Sequence, residues 1–183
     1  MKYKRISGMP LWEIQDWDLP DIEITPARSH LHSDGYSDPL RIEMAGKTTA
    51  WQAQWNTYTK ELSRHIREDE QPDVLIDQMW KNYALNFEIP NDFGPLIIND
   101  KPGYTMCYHQ DNRAVVGVVL INLKDNVDRT EFMFPPTSDW EAPTKKGTGI
   151  FMLNNGDKHK IDVTEDRLIA YQTIGLKSML KSL

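Results

Sequence analysis

The chain has 183 residues, 21 Lys and Arg against 27 Asp and Glu, a formal net charge of -6, one cysteine and five histidines. A length within the roughly 100–200 residues of one domain predicts a single core over residues 1–183, and the lone Cys107 excludes a disulfide framework. The acidic balance opposes the phosphate-neutralising surface that nucleic acids require, which makes nucleic acid an unlikely partner. The longest apolar runs, such as Val115 to Ile121, fall well short of the roughly 20 residues that cross a bilayer, so a soluble, cytoplasmic protein with no membrane partner is expected.

The first 45 residues are Pro-rich and poorly periodic. They predict one or two edge strands, around Lys2 to Ile6 and Glu23 to Thr25, and a long loop from Arg28 to Asp38. From Thr49 to Glu68 the residues Trp51, Trp55, Tyr58, Leu62 and Ile66 recur at the spacing of one helix face, with Thr48 or Thr49 as the cap. His65 lies beside that stripe and reads as a boundary residue. A second helix is expected after Pro72 and Asp73, burying Ile76, Met79, Trp80, Tyr83 and Phe87. Four of the six tryptophans, Trp12, Trp17, Trp51 and Trp55, fall in the first third, which predicts a small core filled by large rings.

The pattern changes near Pro90. Short runs rich in β-branched and aromatic residues follow, separated by Gly, Pro, Asn and Asp: Pro95 to Ile98, Tyr104 to His109, Ala114 to Leu123, Glu131 to Phe134, Gly149 to Leu153, Lys160 to Val163 and Arg167 to Ile174. This predicts a mainly β fold of sandwich or barrel type, with N-terminal helices covering one face. Residues 1–90 would supply edge strands, loop and helices, and residues 91–183 the β core.

His109 and Asp111 form a His-x-Asp pair at the end of a predicted strand, and His159 follows 48 residues after the aspartate. Residues at i and i+2 of a strand share a side, so one strand end offers an imidazole nitrogen and a carboxylate oxygen to one ion. Two His and one carboxylate on one face of an octahedron is the arrangement of non-haem Fe(II) oxygenases. A His-x-Asp pair also arises by chance, as a solvated surface pair. The context of the third ligand favours the metal: a strand, a Gly turn, His159, a short strand, an acidic turn and then Arg167 opening a strand.

Here the chain resembles the 2-oxoglutarate and Fe(II)-dependent dioxygenase superfamily, most closely its prolyl-hydroxylase-like branch, over about Gly103 to Ile174. Tyr108 to Asp111 matches the first half of the hallmark, Val118 to Leu123 looks like the strand that follows it, and Lys146 to Leu153 like the strand before the distal histidine. The resemblance implies a double-stranded β-helix, or jelly roll, buttressed by the N-terminal helices. It also implies that His109, Asp111 and His159 hold Fe(II), and that Arg167 pairs with the distal carboxylate of 2-oxoglutarate as cosubstrate, a role suited to the planar fork of a guanidinium. Arg167 comes eight positions after His159, slightly early for the family. Leu120 stands where close relatives often carry a tyrosine that touches the cosubstrate, so Tyr104, Tyr108 or Tyr171 is expected to supply that hydroxyl.

The activity implied is hydroxylation of a C–H bond in an amino acid or a protein side chain, prolyl included, so the partner is a small molecule or a peptide. Nucleic-acid demethylases of the superfamily typically carry a second arginine six positions after the first; here that position is Thr173. Trp140, Arg113 and Arg129 are candidates for the substrate mouth, and Lys145, Lys146, Lys158 and Lys160 for a local basic patch. His30 and His32 form a His-x-His pair near Asp34 with no partner ligand at a recognisable spacing. A loop over the active site is weighed above an independent metal centre there, and the sequence assigns the loop neither role. The rival reading is a cupin-like or structural jelly roll that binds metal without oxygenase activity; cupins generally use His-x-His with a later Glu and His, and Asp111 and Arg167 both speak against it.

Overall fold

The computed structural model describes residues 2–6, 9, 11–32, 34–68, 87–88, 95–111, 115–135, 137–153 and 158–176. Its strands are β1 (Tyr3–Arg5), β2 (Leu11–Ile14), β3 (Thr25–Leu31), β4 (Ser37–Ala45), β5 (Phe87–Glu88), β6 (Leu96–Asp100), β7 (Thr105–His109), β8 (Val115–Asn122), β9 (Glu131–Phe132), β10 (Gly149–Leu153), β11 (His159–Asp162) and β12 (Arg167–Leu176). One helix, α1 (Thr49–Glu68), is present among the described residues; the second expected helix lies outside them. No helix among the described residues is long and apolar enough to cross a membrane.

All strand pairs are antiparallel. The larger sheet runs β1-β2-β10-β8-β12-β6-β4-β3, with β5 also paired to β12, and the smaller runs β7-β11-β9. Every strand expected after Pro90 forms, within a few residues of its expected ends. The first 45 residues depart from expectation. They contribute four strands, and the segment read as a loop from Arg28 to Asp38 is largely a hairpin, β3 and β4, held on the sheet through β6. Nearly all of β3 is exposed, so it lacks the buried alternation that marks a strand in sequence.

Period-two alternation divides the large sheet into two faces. Val119 and Ile121 of β8, Phe151 and Leu153 of β10 and Ala170 of β12 join Trp51, Trp55, Leu62 and Ile66 of α1 in one apolar cluster. On the opposite face, Val118, Ile150 and Met152 join Leu11 and Phe132, with Leu120 and Tyr171 against them. Gly149 lies between β2 and β8, where a Cβ would overlap the Leu120 carbonyl; only glycine allows this approach.

The helix begins where Thr48 accepts a hydrogen bond at Oγ1 from the Trp51 amide, 3.2 Å away, which makes Thr48 the cap. Its face is tryptophan-rich for a geometric reason. Trp51 and Trp55 stack at 5.5 Å, Trp17 meets Trp55 edge-on at 5.1 Å, and Trp55 Nε1 donates to Gln172 Oε1 of β12 at 2.6 Å. The helix is thereby pinned to the middle of the sheet by both ring packing and one buried polar bond. Trp55→Ala opens a cavity and strands Gln172, and should lower the unfolding free energy by about 3–5 kcal/mol in urea denaturation, whereas exposed Thr57→Ala should change it by less than about 1 kcal/mol.

Candidate metal centre

His109 ends β7 and His159 begins β11, and the two are direct partners across the antiparallel pair. Side chains of opposed residues on one face lie close, and the imidazole centroids are 4.4 Å apart. The register slips just beyond this pair: two steps on β11, from His159 to Ile161, answer three on β7, from His109 to Met106. A bulge of this kind re-aims a side chain at a strand end. Asp111, two residues past His109, brings Oδ1 to 3.9 Å from His109 Nε2 and 3.7 Å from His159 Nε2. One ligand atom from each residue lies within 4.8 Å of the others, and no other group of three such residues does so among the described residues.

The hydrogen bonding of His109 and the burial of His159 suit a cation. His109 Nδ1 lies 2.8 Å from the Cys107 carbonyl, which can only accept, so Nδ1 carries a proton and Nε2 is the ring nitrogen left facing Asp111. Burial pushes the pKa of His159 below its ordinary value; Asp111 pulls it up and His109 presses it down again. A neutral imidazole is the form that ligates.

A second cluster lies across the large sheet. Asp100 of β6 is in register with Arg41 of β4 on one side and Arg167 of β12 on the other. Asp100 is fully buried and Arg167 is 2% exposed. Arg167 Nη1 donates to Asp100 Oδ2 at 3.2 Å, and Arg41 Nε approaches Oδ1 at 3.2 Å but is misaligned for a hydrogen bond. Arg41 Nη1 donates to the Tyr104 hydroxyl at 2.8 Å, and its guanidinium lies 4.9 Å from the Tyr104 ring centroid and 5.6 Å from that of Tyr171. Arg167 Nη2 reaches Thr130 Oγ1 at 3.5 Å. The Nε atoms of both arginines are buried without a hydrogen-bond partner. Among the described residues, the ion pairs of these two guanidiniums run to one carboxylate, so the row itself carries two positive charges against one negative, with Asp128 a longer-range attraction on Arg167.

The backbone that presents Arg167 is held by side chains. Asp128 accepts bonds from the Thr164 amide, the Thr164 hydroxyl and the Glu165 amide. Asn126 brackets Leu168, accepting from its amide at 2.9 Å and donating to its carbonyl at 3.0 Å. These bonds close the turn between β11 and β12 within a few residues, which is how the basic residue comes only eight positions after His159.

A cavity of about 360 Å³ joins the two clusters. His109, Asp111 and His159 line it together with Arg41 and Arg167, Thr130, Tyr171 and Thr173 line it too, and Val118, Leu120 and Met152 give it an apolar part. His30 and His32 line it from the hairpin, with His30 Nδ1 at 3.1 Å from Glu43 Oε1. A second cavity, about 340 Å³ around Trp17, Leu19, Ile22 and Lys146, holds no group of metal ligands.

Of the three tyrosines expected to touch a cosubstrate, Tyr171 lines the cavity. The hydroxyl of Tyr104 is taken by Arg41, and the buried ring packs with Ile161 and Val163. Tyr108 lies next to His109 on the bulged strand, 37% exposed, with the Lys160 ammonium 5.2 Å from its ring centroid, and does not line the cavity. Neither Trp140 nor Arg129 lines it either; Trp140 packs on Phe132 and Arg129 pairs with Glu141 at 2.6 Å. Arg113 lies outside the described residues. The lysine patch is broken up by acids, Lys145 pairing with Asp125, Lys146 with Asp21 and Lys160 with Asp162 and Glu131. Arg41 and Asp100 are the residues the sequence reading missed. A usable signal was Asp100 itself, a charge at the end of the apolar run Leu96 to Ile98.

Removing Asp100 leaves two buried guanidiniums facing each other without a counter-charge. Asp100→Ala should therefore cost about 3–5 kcal/mol of stability by urea denaturation.

No protein-family model matches the sequence, and no curated protein matches it. The chain is similar in structure to a prolyl hydroxylase from Trichoplax adhaerens, solved with a peptide fragment of the hypoxia inducible factor oxygen degradation domain. The TM-score is 0.59 at 10% identity, over 85% of this chain and 73% of that one. It is similar also to a prolyl-4-hydroxylase from Pseudomonas putida, with a TM-score of 0.56 at 12% identity over 94% of this chain and 95% of that one. At these identities the likeness is one of fold, and it agrees with the resemblance read from the sequence.

Proposed function

We propose that the protein is an Fe(II)- and 2-oxoglutarate-dependent oxygenase that hydroxylates a C–H bond of an amino acid, free or within a peptide, prolyl included. The observation that carries this reading is a single cavity with a His-Asp-His ligand set in one wall and a surplus guanidinium charge in another. The donor set fits iron: two imidazoles and one carboxylate leave positions open for further ligands. The buried arginines fit an anion, because a guanidinium surplus without a counter-charge is costly in a dry site.

His109, Asp111 and His159 would hold the iron, and Arg167 would hold the distal carboxylate of 2-oxoglutarate. When bound, the metal and cosubstrate would activate dioxygen for C–H hydroxylation, one oxygen atom going into the substrate's new hydroxyl and the other into succinate as carbon dioxide is lost from 2-oxoglutarate. The chain's own residues bind, orient and exclude water. Cys107 fixes the His109 tautomer through its carbonyl, the Asp128 and Asn126 bonds aim Arg167, and Val118, Leu120 and Met152 keep the cavity wall apolar. A nucleic-acid substrate is disfavoured by the net charge of -6 and by the pairing of the surface lysines with acids. In the rival reading, a metal-binding protein without oxygenase activity, the two buried arginines serve only their contacts to Asp100, Tyr104 and Thr130, and the second positive charge of the row has no partner.

Anaerobic addition of Fe(II) and 2-oxoglutarate should give a weak visible charge-transfer band, and air should then release succinate without added substrate. His109→Ala should abolish the band, and Arg167→Ala should raise the 2-oxoglutarate concentration needed for it by at least about 10-fold, as expected for a lost charge-assisted contact. A well-folded wild type that shows neither band nor succinate contradicts the proposal. Screening amino acids and peptides for a mass gain of one oxygen then identifies the substrate.

A further inference from the structure

We propose that Arg41 is a second binding residue for the anion that Arg167 holds, so that the carboxylate at this end of the cavity lies between two guanidiniums, one from the β3–β4 hairpin and one from β12. The ligand's name rests on the cosubstrate reading above; the anion site itself rests on charge and placement.

Both arginines line the same cavity, and both are nearly buried, Arg41 at 8% and Arg167 at 2% exposure. They stand on either side of Asp100 in register, so the three side chains form one row across β4, β6 and β12. One carboxylate cannot neutralise two guanidiniums, and a buried, unmatched cation destabilises a fold unless a partner arrives. An anionic ligand supplies that partner. Its charge of -1 brings the row to neutrality, and its two oxygens offer acceptors to donors on both arginines.

Arg41 is also prepared for such a role. Its guanidinium is close to the Tyr104 and Tyr171 rings and bonded to the Tyr104 hydroxyl, which fixes its orientation before any ligand binds. Asp100 acts as the internal counter-ion that allows two like charges to lie within one row. Because Arg167 remains beside Asp100, removing Arg41 leaves a balanced pair, not a stranded carboxylate. The consequence is selectivity: a 2-oxo acid that ends in a carboxylate meets both cations, and one that ends in a methyl group meets neither.

The test is calorimetric titration of Mn(II)-loaded protein, which does not turn over, with 2-oxoglutarate, 2-oxopentanoate and glutarate. Wild type, Arg41→Met and Arg41→Gln are compared, with circular dichroism as the check on folding. Arg41→Met should weaken 2-oxoglutarate binding by about 10- to 100-fold, the range for one charge-assisted contact, and should shrink its preference over 2-oxopentanoate by a similar factor. Arg41→Gln keeps a donor for Tyr104 and removes the charge, so it should behave likewise, and it decides the matter if the Met variant does not fold. A folded variant that binds 2-oxoglutarate within twofold of wild type, with its preference intact, makes Arg41 a structural partner of Tyr104 and overturns the proposal. If wild type ignores 2-oxoglutarate but binds glutarate, and the Arg41 variants lose it, the two-arginine anion site stands and the oxygenase reading falls. Wild type that binds none of the three carboxylates overturns both.

Discussion

The alternation of side chains along β12 is the constraint from which the rest of the site follows. Its residues take turns facing two layers: Ala170 and Gln172 meet the tryptophan-rich face of α1, while Arg167, Tyr171 and Thr173 line the cavity. A shift of one residue would exchange the two sets. It would put the guanidinium into the apolar layer under the helix and leave Trp55 Nε1 without its acceptor. The contacts on either side of the strand therefore hold the same register, and the Asn126 bracket around Leu168 fixes it at the end where Arg167 sits.

The two chemical clusters are built by different means. Of the candidate metal ligands, the two histidines come from the small sheet, where one antiparallel pairing sets His109 opposite His159 beside a bulge, and Asp111 follows two residues past the end of β7. The arginine row comes from the large sheet, where three strands far apart in sequence align Arg41, Asp100 and Arg167. The cavity lies where these clusters meet, and Val118, Leu120 and Met152 give it a dry wall that strengthens every charge interaction inside. The hairpin adds His30, on β3, and His32, one residue past Leu31 at its end, to the lining, so the segment expected as a loop borders the cavity largely as strand.

Legibility in the sequence followed the range of the interaction that fixed each feature. Helix α1 was readable to its last residue, because its stripe of Trp51, Trp55, Leu62 and Ile66 and its Thr cap are local. The strands after Pro90 were readable for the same reason. The hairpin was not, since β3 is polar and exposed and β4 carries Pro39, and what holds them is long-range pairing of β4 with β6, with β3 added at the edge through β4. His109 and Asp111 stood out by their spacing and His159 by its flanks, but the facing of the two histidines needed the fold. Arg41 and Asp100 became visible only once β4, β6 and β12 lay side by side. Tyr104 and Tyr108 show the complementary failure: proximity in sequence to a ligand says nothing about which side of a bulged strand a ring will take.

The central claim is that one cavity holds a metal at His109, Asp111 and His159 and an anion at Arg167. The most direct measurement is a crystal structure of the protein soaked anaerobically with Fe(II) and 2-oxoglutarate, with the iron located by anomalous scattering. The account predicts one iron held by His109, His159 and Asp111, and the cosubstrate's far carboxylate against Arg167. Iron located elsewhere, at His30 and His32 for example, or an ordered crystal with neither iron nor 2-oxoglutarate in this cavity, would contradict it.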